Sequence, residues 1–79
     1  MKLPVIKTLV EKYTIEQLQQ AEKALCEEKT PDIEVAGDDE GERLTHVLAA
    51  QYIKEQMASG MDYMDALRQY TQRVRTSIS

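Results

Sequence analysis

One proline, two glycines and eight carboxylates in the middle of this chain decide most of what it can fold into. Between Glu27 and Glu42 stand Glu27, Glu28, Asp32, Glu34, Asp38, Asp39, Glu40 and Glu42 against Lys29 alone, with Pro31, Gly37 and Gly41 interspersed. Pro31 disfavours helix at Thr30. Eight acids against one lysine leave a net −7, which belongs in water. The stretch is therefore a solvated connector dividing two halves that both carry helical periodicity. The expected fold is all-α: a compact four-helix domain, with an acidic extended loop between the second and third helices.

Val5, Ile6, Leu9, Val10 and Tyr13 recur at helical spacing, and Pro4 suits a first turn, so helix one runs from about Pro4 to Lys12. Thr14 and Gln17 form a capping box, and Tyr13 and Leu18 a hydrophobic staple. They open a second helix that turns Ile15, Leu18, Ala21 and Leu25 inward and is stopped by Pro31 near Glu28. Ile33-Glu34-Val35 alternates as a strand would but is too short for a sheet. Asp39 and Glu42 read as the cap of helix three, about Glu40 to Ser59. Gly60 ends that helix, and Asp62 caps a fourth with Tyr63, Leu67, Tyr70, Val74 and Ile78 on one stripe.

Seventy-nine residues make a single domain, 1–79, near the lower limit for a self-sufficient core. The chain has no Phe or Trp, and its one cysteine rules out an internal disulfide. From Val47 to Ile53 helix three is apolar nearly all round, which marks a helix buried on several sides. So small a chain is expected to cover one of those sides with another copy of itself. The expected assembly is a dimer through helices three and four, with Val47, Tyr52, Ile53, Tyr63, Leu67 and Tyr70 at the interface.

A net charge of −4 argues against general affinity for nucleic acid or an anionic membrane. No apolar run approaches the length of a membrane span, and the start lacks the apolar core of a signal peptide. The expected setting is cytoplasmic, where a lone thiol stays reduced.

Each candidate site competes with a plainer explanation. Asp32, Glu34 and Gly37 fall at positions 1, 3 and 6 of an EF-hand count, but position 12, which needs a glutamate, is Arg43. Glu42 and His46 share a helical face and, with Asp39, form a weak metal or acid–base candidate. The Glu-x-x-His spacing of di-iron bundles fails because Arg43 stands three before His46. A lone histidine amid Leu44, Val47 and Leu48 reads first as a hydrogen-bonded core or interface residue. Cys26, beside Glu27 and Glu28, reads as a small hydrophobe rather than a reactive thiol. No nucleophile elbow or phosphate-binding loop is present, so nucleophilic catalysis has no candidate residues and no cofactor is implied. The remaining feature is charge asymmetry. Asp32, Glu34, Asp38 and Asp39 could meet Arg68, Arg73 and Arg75 of the chain's other end or of another subunit.

Three segments taken in order resemble a family of short, functionally uncharacterised proteins from Bacteroidetes bacteria. They are Met1-Lys2-Leu3-Pro4-Val5-Ile6-Lys7, Gly41-Glu42-Arg43-Leu44-Thr45-His46-Val47-Leu48-Ala49-Ala50 and Tyr70-Thr71-Gln72-Arg73-Val74-Arg75. The resemblance covers essentially the whole chain and implies a bacterial, cytoplasmic setting, but no activity and no site residue. The function expected from the residues is a non-catalytic interaction or accessory protein. It would self-associate and present its acidic loop to a basic partner or subunit. The alternative is a small metal-binding protein or metal-dependent enzyme using Glu42 and His46.

Overall fold

The computed structural model describes residues 2–78, with side chains as far as Arg73. Its elements are four helices: α1 (Leu3–Lys12), α2 (Ile15–Cys26), α3 (Glu40–Ala58) and α4 (Tyr63–Ile78). The all-α, four-helix expectation holds, and no strand forms among the described residues. α3 is the hub, because α1, α2 and α4 each pack against it.

Local chemistry sets the boundaries. Thr14 Oγ1 accepts from the Gln17 amide at 3.1 Å while Gln17 Oε1 accepts from the Thr14 amide at 2.9 Å, the reciprocal box that opens α2. Asp39 Oδ1 accepts from the Glu42 amide at 2.7 Å to open α3, and Asp62 Oδ1 accepts from the Asp65 amide at 2.8 Å to open α4. At the end of α3 the Gly60 amide donates to Met57 O and the Met61 amide to Gln56 O, and Gly60 takes the left-handed φ of 108° that this closure requires.

The end of α2 uses the same closure with the wrong residue type. The Glu28 amide donates to Leu25 O and the Lys29 amide to Ala24 O, with Glu28 at φ 60°. α2 therefore stops at Cys26, two residues before the expected Glu28, and a left-handed turn rather than Pro31 stops it. Glutamate carries a Cβ penalty in that region that glycine does not. Glu28→Gly is expected to stabilise the fold by about 0.5–1 kcal/mol. A raised urea midpoint with an unchanged slope would show it, and a lowered midpoint would refute the reading of this turn.

The core draws Ile6, Leu9 and Val10 from α1, Leu18, Ala21 and Leu25 from α2, Val47, Ala49, Ala50 and Ile53 from α3, and Ala66 from α4. This arrangement revises the expectation for α3. Val47, Ala49, Ala50 and Ile53 are fully covered by the chain's own elements, while Leu48, 41% exposed, and the partly buried Tyr52 reach solvent. Three helices converging on one leave little of it for a partner. Cys26 is also corrected: it is exposed at the end of α2, not a packed hydrophobe.

Long-range polar contacts tie the helices together. Lys54 Nζ donates to Val10 O at 2.9 Å, satisfying one of the carbonyls left open at the end of α1 and placing a cation against its dipole. Gln51 Nε2 donates to Glu22 Oε1 at 2.8 Å between α3 and α2. Along the seam with α4, the rings of Tyr52 and Tyr70 lie 5.7 Å apart and tilted, and the Arg73 guanidinium lies 5.3 Å above Tyr52.

Candidate functional site

The acidic connector is fixed rather than slack. Pro31, Ile33, Val35 and Gly37 turn partly inward, while Asp32, Glu34, Ala36 and Asp38 face solvent. Ile33 and Val35 pack on the core, and the Glu34 amide donates to the Tyr13 hydroxyl at 3.4 Å. The alternation seen in Ile33-Glu34-Val35 therefore acts as an extended segment laid over the bundle.

His46 is its principal anchor. The imidazole is fully buried. The Lys2 amide donates to Nε2 at 2.9 Å, and Nδ1 lies 2.9 Å from the Ala36 carbonyl oxygen. An amide N–H can only donate and a carbonyl can only accept, so these partners fix the neutral tautomer with its proton on Nδ1. One side chain thus joins the start of α1, the connector and α3. Next to it the connector presses closely on α3. A Cβ added at Gly37 would fall 2.7 Å from Arg43 Cγ and 3.1 Å from the Arg43 amide nitrogen, so only glycine fits this approach.

The weak metal candidates are individually engaged. Asp39 Oδ1 caps α3. Glu42 Oε1 accepts from the Asp38 amide at 3.1 Å, and His46 Nε2 is held by the Lys2 amide. The cation beside these carboxylates is Lys2, whose Nζ lies 3.4 Å from Asp38 Oδ1 and 3.9 Å from Glu42 Oε1. Among the described residues no group of three or more His, Cys, Asp or Glu is placed to hold a metal ion. Sequence reasoning passed over Lys2, whose only clue was its closeness to the start of helix one. Of the arginines expected to face the acids, Arg68 is exposed on α4 and Arg73 stacks on Tyr52. The side chain of Arg75, like those of Val74 and Ile78, lies outside the described residues.

A second feature had no counterpart in the sequence. α1 and α4 both pack on α3 and leave between them a groove of about 590 Å³. Val10, Met57, Tyr63, Met64 and Leu67 line it with Leu3, and Lys7 and Glu11 stand on the same lining. Of the four exposed large hydrophobics among the described residues, Leu3 (46%), Met57 (38%) and Met64 (54%) belong to this groove, and Leu48 lies elsewhere. Burial raises the pKa of the Tyr63 hydroxyl above its ordinary value, and the nearby Glu11 carboxylate raises it further. Burial does the same to Tyr70.

The residues expected at a subunit interface therefore separate into three groups. Val47 and Ile53 are core, Tyr52 and Tyr70 pair along the seam with α4, and Tyr63 and Leu67 line the groove.

DUF6952, a family of unknown function, matches the chain over residues 1–79. The chain belongs to that family. No match is found among curated proteins or among solved structures. Family membership brings no activity and no assigned residue, so any reading of function rests on the connector and the groove. Among the described residues no helix is long and apolar enough to cross a membrane.

Proposed function

We propose that this member of the DUF6952 family is a non-catalytic interaction protein that self-associates and offers its acidic connector to a basic partner or subunit. One observation carries the reading: among the described residues, three of the four exposed large hydrophobics converge on a single groove. Scattered apolar residues on a surface need no explanation, whereas a contiguous patch rimmed by charge is the usual mark of a docking site. Two of the three are methionines, whose unbranched thioethers adapt to a partner's shape. The connector supports the second half of the reading. Asp32, Glu34, Asp38 and Asp39 stand exposed on a backbone held by His46, Tyr13 and the inward Ile33 and Val35. Carboxylates already ordered lose little freedom on meeting a cationic surface. A bacterial cytoplasm suits the exposed, unpaired Cys26.

The metal-dependent alternative has less to stand on. An ion at Glu42 and His46 would have to displace the Lys2 amide from Nε2 and sit beside the Lys2 ammonium.

A photo-reactive amino acid placed at Met64 tests the docking reading in living cells, with the same group at exposed Lys23 on α2 as control. Discrete cross-linked species from position 64 and none from position 23 are expected. Equal or absent cross-linking at both positions would remove the groove as a working surface.

A further inference from the structure

We infer that the groove's occupant is a second copy of this chain, docked about a two-fold axis that passes between Lys7 and Glu11 of α1. The inference rests on the interaction reading and adds the surface through which the chain pairs with itself and the register. Leu3, Lys7 and Glu11 follow one another at intervals of four, so they form a single ridge along α1, beside Met57 and Met64. The ridge carries one cation and one anion, one helical turn apart. Neither joins an ion pair among the described residues, since the pairs there involve Lys2 with Asp38 and Glu42, and Lys29 with Glu27.

A two-fold interface is self-complementary: if residue i meets residue j, then j meets i. An antiparallel pair of these ridges can be centred on one charged residue, Lys7 or Glu11, where like charges meet, or between the two. Centred on Lys7, it would set two ammonium groups against each other and Leu3 against a carboxylate. Centred between Lys7 and Glu11, it sets each ammonium opposite the other copy's carboxylate, twice, while the apolar groove closes alongside. The charge order selects the register centred between them. A helix from an unrelated protein could cover the same apolar floor, but it would have no reason to repeat this chain's own pattern in reverse. The groove thus provides both halves of its own complement.

The experiment uses the whole chain and a charge swap. Sedimentation equilibrium at micromolar concentration is expected to return about twice the 9.0 kDa of one chain. Lys7→Glu opposes two pairs of carboxylates in the dimer and Glu11→Lys two pairs of ammonium groups. Each variant alone is expected to weaken self-association roughly ten-fold or more. Mixed together, the two variants restore both attractive pairs, so their heterodimer is expected to match the wild type within about three-fold. Recovery on mixing also shows that each variant is folded, since both positions are exposed.

A wild-type dimer indifferent to both swaps would overturn the assigned surface. So would variants whose mixture stays as weak as either alone. A wild-type monomer whose position 64 cross-links to a different protein would overturn the second-copy occupant and the self-association, and leave the groove standing as a docking surface. A monomer without specific cross-links would end both.

Discussion

Ile53→Asp is expected to leave the chain unfolded at neutral pH. Ile53 is completely buried on α3, the helix against which every other helix packs. A domain of 79 residues has on the order of 4–12 kcal/mol of stability. An unpaired carboxylate at a desolvated site costs several kcal/mol, on top of the isoleucine contacts that are lost. The cost should follow the chemistry of the side chain. Ile53→Val is expected to remove about 0.5–1.5 kcal/mol and Ile53→Ala about 2–5 kcal/mol. Urea midpoints in that order, with no far-UV helical signal for the aspartate variant, are the expected result. A folded Ile53→Asp, or an alanine variant as stable as the wild type, would show that the centre of α3 is not the core described above.

His46→Leu is expected to cost roughly 2–4 kcal/mol, because it leaves two backbone groups without partners while filling most of the space. The Lys2 amide would lose its acceptor and the Ala36 carbonyl its donor. Those groups lie at the start of α1 and in the connector, so the damage should appear far from position 46 in sequence. Backbone amide exchange reads it directly. Protection of the Lys2 amide should vanish, and the connector should loosen with it, since Ala36 is one of its attachments to α3. A change below about 0.5 kcal/mol with Lys2 still protected would assign the histidine to simple filling. The measurement also bears on the metal alternative. An imidazole whose two nitrogens hold the fold together is not free to ligate an ion without undoing it.

Much of the fold was legible because local chemistry decides it. The Thr14–Gln17 box, the Asp39 and Asp62 caps and the Gly60 turn are all written within a few residues, and each opens or closes its helix where the sequence placed it. The end of α2 was missed for the opposite reason. Glu28 adopts a conformation its side chain disfavours, and nothing local announces it. His46 read first as a bonded residue, but its partners are backbone groups 44 and 10 residues away, which no side-chain pattern reveals. The groove lay beyond reach on the same principle. Leu3, Met57 and Met64 come from three helices and share no periodicity, so only the packing brings them together.

The surplus apolar surface of α3 was a matter of magnitude rather than of pattern. An all-round apolar helix implied more cover than one small chain could supply. The connector and three helices converging on α3 supply it instead, through Ile33 and Val35 as well as the helical core. Of the large apolar side chains left exposed among the described residues, all but Leu48 gather at the edge between α1 and α4. The core and the proposed docking surface are thereby different places. A charge at position 64 should abolish association without touching the fold, whereas one at position 53 should destroy both.

That separation is most directly tested by Met64→Glu, followed at once by circular dichroism and sedimentation at low micromolar concentration. Met64 is 54% exposed and rooted in the first turn of α4. A particle of 9.0 kDa with the wild type's helical signal, melting cooperatively, is the predicted result. Loss of helix on loss of the partner would show instead that α3 depends on a second chain for its cover.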